Sequence, residues 1–301
     1  MPYNNNMKER HTLCAAVFAS LLLLMAHVPA KILAQESLRY KVGICDWMVL
    51  KRQKIGEFQL AKELGCDGVE MDMGSLGKRD SFDNKMRDPE MARLFRHKAD
   101  SLGIEIGAVA MSGFYGQSFA AKDTYEQLAM DCFDTMGKMG AQVAFLPLGG
   151  CGSQWADSLP LRVEVVARLR KIGDMAAERG LLVGIDTSLD ADGNIKLLDE
   201  IGSSGIAVFY KFQTAIEGGW DICGDLRKLG AKRVCAIHAT NTDGFLLRDD
   251  KALDMPAIKA ALDDMGWSGW LFVERSRDTT DVRNVRRNYG ENVKYLKEIF
   301  Q

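Results

Sequence analysis

Eight times between Tyr40 and Phe300 a short apolar run gives way to a stretch whose apolar residues recur at helical spacing. No other feature limits the fold of this chain as tightly. A strand that is apolar on both faces must be covered on both faces, which a parallel sheet wrapped in helices provides. The runs predict strands at Tyr40–Ile44, Gly68–Met71, Ile104–Ala110, Val143–Leu148, Leu181–Ile185, Ile206–Tyr210, Arg233–Ile237 and Trp270–Glu274. Between and after them, the periodicity predicts helices over Gly56–Leu64, Pro89–Leu102, Thr124–Met139, Leu161–Arg179, Asn194–Ile201, Asp221–Leu229, Met255–Met265 and Arg283–Phe300. Gly65, Gly103, Gly140, Gly180, Gly230 and Gly266 precede strands, as expected of residues that end helices. Eight such units in 301 residues favour a single-domain α/β fold, a closed (β/α)8 TIM barrel, over an open doubly wound sheet.

The first 34 residues stand outside that pattern. Lys8, Arg10 and His11 precede an apolar run from Leu13 to Val28, and small residues follow at Ala30 and Ala34. This order predicts a secretory signal peptide over 1–34, cleaved after Ala30 or Ala34, with the barrel domain over 35–301. A spanning anchor is the competing reading, but the run is shorter than the ~20 apolar residues a span needs. The expected setting is therefore outside the cytoplasm, in a periplasm, with no membrane attachment after cleavage. A formal net charge of −2 gives no pull toward nucleic acid. Six of the seven cysteines follow Cys14 of the leader, dispersed and without a CxxC pair. Cys45 and Cys235 sit in or beside apolar runs, so buried thiols are expected in preference to disulfides.

The chemistry lies at the ends of the last four runs. LLVGID closes on Asp186, IAVFYK on Lys211, RVCAIH on His238 and WLFVE on Glu274. In a barrel of parallel strands these positions converge at the mouth where active sites sit. Asp186, His238 and Glu274 offer donors suited to a hard divalent cation; Lys211 is itself a cation. Each has a plainer reading. His238 would be a hydrogen-bonded core residue, Glu274 a rim ion pair with Arg275 or Arg277, Asp186 a turn cap, and Lys211 a solvated strand end. Asp46 and Trp47 follow the first strand, Glu70 and Asp72 end the second, and Asn241 and Asp243 follow the seventh. Trp47 and Phe114 offer flat apolar faces suited to a sugar ring. Glu70, Tyr115, Gln117, Asn241, Arg275 and Arg277 complete the candidate substrate-binding groups.

Four stretches carry a resemblance: CAIHATNTDG from Cys235, GWSGWLFVERSRD from Gly266, CDWMV from Cys45 and MSGFYGQSF from Met111. They resemble the xylose isomerase-like TIM-barrel superfamily, the sugar phosphate isomerase and epimerase group, in its exported members. The resemblance is diffuse over Tyr40–Phe300. It implies a carbohydrate-active enzyme that removes a proton next to a sugar carbonyl, giving isomerisation or epimerisation. A keto-sugar lyase acting by β-elimination and an inactive carbohydrate-binding barrel are the alternatives. An abasic-site endonuclease shares the fold but needs a cationic groove and more histidines than the four of this chain. GGCG at Gly149 lacks a phosphate-loop pattern, which together with export favours a non-phosphorylated sugar.

The resemblance also implies a divalent metal, manganese or magnesium, held by carboxylates ending strands five, six and eight and a histidine ending strand seven. His238 and Glu274 match that pattern. Asp186 stands where glutamate is expected, shorter by one methylene, about 1.5 Å. Lys211 stands where aspartate is expected. A divalent cation with an ammonium ~4 Å away meets about 8 kcal/mol of repulsion at an effective dielectric near 20. Either Lys211 turns away, or it is deprotonated, or its ammonium takes the place of the cation between Asp186 and Glu274 and no cofactor is needed. A slip in the sixth strand would instead let Glu217 supply the carboxylate. In each case Asp186 or Glu274 is the base, His238 orients the substrate, and a metal or Lys211 supplies positive charge.

Overall fold

Eight parallel strands run around a closed barrel in sequence order: β1 (Tyr40–Cys45), β2 (Gly68–Asp72), β3 (Glu105–Ala110), β4 (Val143–Pro147), β5 (Leu182–Asp186), β6 (Ile206–Lys211), β7 (Val234–His238) and β8 (Gly269–Val273). β1 pairs with β2 on one side and β8 on the other, which closes the ring. The structure is a computed structural model that describes residues 38–301. The expected signal over 1–34 lies outside the described residues.

The helices are α1 (Gly56–Glu63), α2 (Pro89–Leu102), α3 (Tyr125–Met139), α4 (Leu159–Ala177), α5 (Ala191–Ile201), α6 (Phe212–Gly218), α7 (Ile222–Leu229), α8 (Met255–Asp264) and α9 (Val285–Phe300). Their ends follow the local chemistry. The Asp88 side chain accepts from Glu90 N at the start of α2, and Gly103 ends that helix with φ 64°. Two differences from the sequence reading stand out. α5 starts at Ala191, because Asp190 caps it through Gly193 N. α6 was not expected: at this length periodicity carries no signal, and the helix forms because Phe212 and Ala215 are buried. None of the described helices is long and apolar enough to cross a membrane.

Most of the core lies between the outer face of the sheet and the helices. The barrel interior is a separate, smaller layer of Cys45, Ala108, Ala110, Phe145, Phe209, Ala236 and Phe272, with Trp270 against it. The large rings come from β4, β6 and β8, and small residues face them, as layers built from alternate strands require. Trp270 stacks on Phe272 at 5.2 Å in the space that Gly68 and Gly107 leave open. The six cysteines among the described residues are unpaired.

Outside the barrel, Gly205 leads into β6 and so sets the height of Lys211. A Cβ built on Gly205 would lie 2.0 Å from the carbonyl oxygen of Gly173 on α4. Gly205→Ala is therefore expected to push β6 and α4 apart and cost about 1–3 kcal/mol. Denaturant unfolding of the variant measures this, and an unchanged midpoint would contradict the packing.

Candidate active site

Asp186, Lys211 and His238 are the last residues of β5, β6 and β7, and Glu274 follows β8 directly. In-register pairing sets Lys211 opposite His238 and Asp186 opposite Pro147. Asp186, Lys211 and Glu274 meet at the barrel mouth, with His238 beneath Glu274. Lys211 Nζ lies 2.7 Å from Glu274 Oε2 and 3.7 Å from Asp186 Oδ2. Tyr115, at the end of a 3-10 turn after β3, joins them from across the barrel. Its hydroxyl donates to Glu274 Oε1 at 2.8 Å, accepts from Lys211 Nζ at 3.0 Å and lies 3.5 Å from Asp186 Oδ2. The ring keeps an open outer face while the hydroxyl points inward.

Charge in this cluster is set by burial against pairing. Burial alone would raise the pKa of Glu274, but Lys211, His238 and the Tyr115 hydroxyl outweigh it and hold the carboxyl down at about 2. Asp186 goes the other way: burial raises it, Lys211 offsets only part of that, and the Glu274 charge adds to the rise. Burial would lower Lys211, yet Asp186 and Glu274 more than compensate, so its pKa is raised and it is an ammonium. That removes deprotonation of Lys211 as an option. Tyr115 is pushed well above the usual phenol value by burial and by the neighbouring carboxylates, so it is a neutral donor.

His238 sits one layer deeper, fully buried between the rings of Phe145 and Phe209 at 4.6 and 4.5 Å. Its Nε2 bonds Glu70 Oε2 at 2.7 Å, and its Nδ1 faces Glu274 Oε2 at 3.8 Å. Glu70 is the in-register partner of Cys45, whose Sγ donates to Glu70 Oε2 at 3.2 Å. Burial lowers the pKa of His238, but Glu70 and Glu274 raise it further than burial lowers it. Cys45, Glu70 and His238 offer ligand atoms within 4.8 Å of one another and form a candidate metal site. The same three groups also hydrogen-bond one another through Glu70 Oε2, while Glu70 Oε1 and His238 Nδ1 are buried without a hydrogen-bond partner.

The donor set at the mouth does not fit the divalent metal that the resemblance implies. The ammonium of Lys211 occupies the space between the two carboxylates, and its charge is the wrong sign for a ligand. Glu217 does not replace it. That residue is exposed on α6, where it accepts from Gln213 and Thr242.

Several candidate binding residues are placed differently from the sequence reading. Phe114 is buried edge-on to Phe82 and Phe119 and offers no face to a ligand. Asn241 is buried too, with its amide donating to Asp250 Oδ2 at 2.8 Å. Glu70 lies behind His238 and orients it, so it is not a substrate contact. Arg277 is taken up by Asp243, through Nε at 3.1 Å and a second contact from its terminal nitrogen. Trp47, Gln117 and Arg275 remain at the mouth: Trp47 half-buried and edge-on to His238 at 6.4 Å, Gln117 half-buried, Arg275 exposed. The hydroxyl of Tyr115 in the charge cluster was not legible in sequence, because only closure of the barrel brings β3 and β6 face to face.

Asp46 and Asp72 lie off the mouth in a buried brace. Asp46 accepts from Gln53 N and Asp72 N, and Asp72 pairs with Arg52 at 3.1 Å. Glu57 is fully buried beside them with no hydrogen-bond partner for either oxygen. Burial and the charge of Asp46 hold its carboxyl well above the usual range, and burial and Asp72 push Asp46 up to about 8.

A family model described as xylose isomerase-like TIM barrel matches residues 58–299. No curated protein matches the chain. Among solved structures, the barrel is similar to a xylose isomerase domain protein from Planctomyces limnophilus (TM-score 0.64, 16% identity, covering 86% of this chain and 97% of that one). It is similar to a D-psicose 3-epimerase determined in the presence of D-fructose (TM-score 0.68, 13% identity, 86% and 99%). It is also similar to 3-keto-D-glucoside 4-epimerase from E. coli (TM-score 0.65, 13% identity, 86% and 99%). At these identities the likeness is one of fold.

Two pH dependences follow. Glu274 is depressed from 4.5 to about 2, so its stabilising contribution is present above pH 4.5 and is lost as pH falls toward 2. The stability difference between wild type and Glu274→Gln should therefore shrink by a few kcal/mol over that window in acid unfolding. Glu57 is raised, so the folded chain retains a proton that the unfolded chain releases above pH 4.5. Stability from that group falls as pH rises, and Glu57→Gln should gain on the wild type between pH 5 and pH 8, read by thermal unfolding at both (roughly the window between the two states' proton release).

Proposed function

The chain belongs to the xylose isomerase-like TIM-barrel family, and on that footing we propose that it moves a proton next to the carbonyl of a small carbohydrate. The observation that carries this reading is the unequal pair of carboxyls at the mouth: Glu274 is held by Lys211 at 2.7 Å and the Tyr115 hydroxyl at 2.8 Å, whereas Asp186 stands off from both at 3.7 and 3.5 Å, which lowers the proton affinity of Glu274 and leaves that of Asp186 raised. Carboxyls driven apart in proton affinity are the arrangement by which one takes up a proton while the other stays charged. Asp186 is the stronger base of the two and the more open. It removes the proton from the carbon beside the carbonyl, and the electron pair moves onto the carbonyl oxygen. Lys211 is the donor beside that developing charge. Glu274, bonded to Lys211 and to the Tyr115 hydroxyl, keeps them in place. Return of the proton by Asp186 to the former carbonyl carbon, with the hydroxyl proton of the first carbon passing to the former carbonyl oxygen, gives isomerisation. Return to the opposite face gives epimerisation and needs a second acid on the far side of the substrate from Asp186.

The similar epimerases bind or act on free ketoses and a keto-glucoside by their descriptions, which supports a small, uncharged sugar as substrate. The charged, apolar and small-residue order of 8–34 supports a setting outside the cytoplasm, where such sugars are met unphosphorylated.

Ketoses, aldoses and 3-keto-glycosides incubated with the protein in D2O test this. The expected result is an isomer carrying deuterium at the carbon next to the carbonyl, with kcat lowered about 10²- to 10⁴-fold in Asp186→Asn. Binding with no exchange for any sugar would leave an inactive carbohydrate-binding barrel; an unsaturated product would make the protein a lyase.

A further inference from the structure

Two carboxylates brought together out of water need a cation between them, because each alone pays for lost hydration and repels the other. This chain carries its own. Lys211 Nζ is 2.7 Å from Glu274 Oε2, 3.7 Å from Asp186 Oδ2 and 3.0 Å from Tyr115 Oη. The backbone leaves the side chain little choice. β6 sets Lys211 opposite His238, and α6 begins at the next residue.

Local structure gives no reason for a lysine there. The position before a helix favours Ser, Thr, Asp or Asn, and the positive end of a helix disfavours an ammonium. A strand-end lysine seeking solvent would be open, whereas this side chain is only 10% exposed. The plain readings therefore fail, and what matches its charge is the pair of carboxylates.

We propose that Lys211 is a built-in substitute for a divalent cation, so that the mouth needs no metal and residue 211 alone decides between an ammonium and an ion. The consequence for catalysis rests on the proton-transfer reading above. An ammonium has three N–H donors. One is engaged by Glu274 and one by Tyr115, which leaves the third for the substrate oxygen that gains charge. The ammonium thus contacts one substrate oxygen and is fixed before the substrate arrives, so no reorganisation is spent at the moment of reaction. Asp186, shorter than the glutamate of the family pattern, stands off at 3.7 Å and stays available as the base.

The test measures metal and needs no substrate. Wild type, Lys211→Asp and Cys45→Ala are purified without chelators, incubated with Mn2+, desalted, and read by elemental analysis and manganese electron spin resonance. The wild type should hold far less than one ion per chain and Lys211→Asp close to one. Circular dichroism melting checks that the variant folds. If it does not, the wild-type arm still decides. A stoichiometric ion in the wild type that survives Cys45→Ala overturns the proposal. An ion lost with Cys45→Ala belongs to the buried Cys45–Glu70–His238 cluster and leaves the mouth metal-free, as proposed. Failure of Lys211→Asp to gain an ion, with the fold intact, also overturns it, because residue 211 would then not be what decides. Turnover, where found, should be unchanged by chelator and lost in Lys211→Met. A protein that turns over no sugar yet shows these metal contents ends the enzymatic reading while Lys211 remains the cation of the site.

Discussion

The hydrogen-bonded pairing of β1 with β8, from Tyr40 with Gly269 to Ile44 with Val273, closes the sheet on itself. The contacts of the site that cross the barrel depend on that closure. In an open sheet β5 to β8 would still set Asp186, Lys211, His238 and Glu274 side by side. Tyr115 comes from β3, however, and Glu70 from β2, and each reaches its partner across the barrel rather than along the sheet. The interior allows this because its large rings, Phe145, Phe209 and Phe272, are matched by Ala108, Ala110 and Ala236. His238 can therefore sit tilted among aromatic neighbours with each nitrogen turned to a different carboxylate.

The site is a line of groups alternating in character from the interior to the mouth: Glu70, His238, Glu274, Lys211, Asp186. Each group faces a complementary one on either side, which is how buried ionisable groups are tolerated. The inner end is sealed and serves to orient. The outer end is partly open, and Asp186, the one carboxyl of the mouth with raised proton affinity, is placed there. At that open end Asp186, and not the more deeply buried Glu274, is the carboxyl within reach of a ligand.

Strand and helix positions were legible because burial on both faces of a strand and on one face of a helix writes a period into the chain. All eight strands lie where the apolar runs placed them, to within a residue or two at each end. What periodicity does not reach was missed, as with α6, whose seven residues make too short a pattern. Residue type misled at Phe114, where an aromatic following a strand looked like a sugar platform. Its neighbours Phe82 and Phe119, distant in sequence or on the next turn, draw it into the core. Arg277 misled similarly, since its partner Asp243 sits on the loop after β7.

The amino-acid sequence by itself determined the barrel, the face on which the candidate site lies, and the four side chains that end β5 to β7 and follow β8. Those follow from a period of apolar residues and from where it stops, which are local properties of the chain. It also posed the question of Lys211 without answering it, since a lysine can turn away, lose its proton or stand in the place of a cation. Only the tertiary structure decided among these. The answer depends on the distances from one ammonium to Glu274, Asp186 and Tyr115, groups far apart in sequence that folding of the sheet and closure of the ring bring within reach of one another.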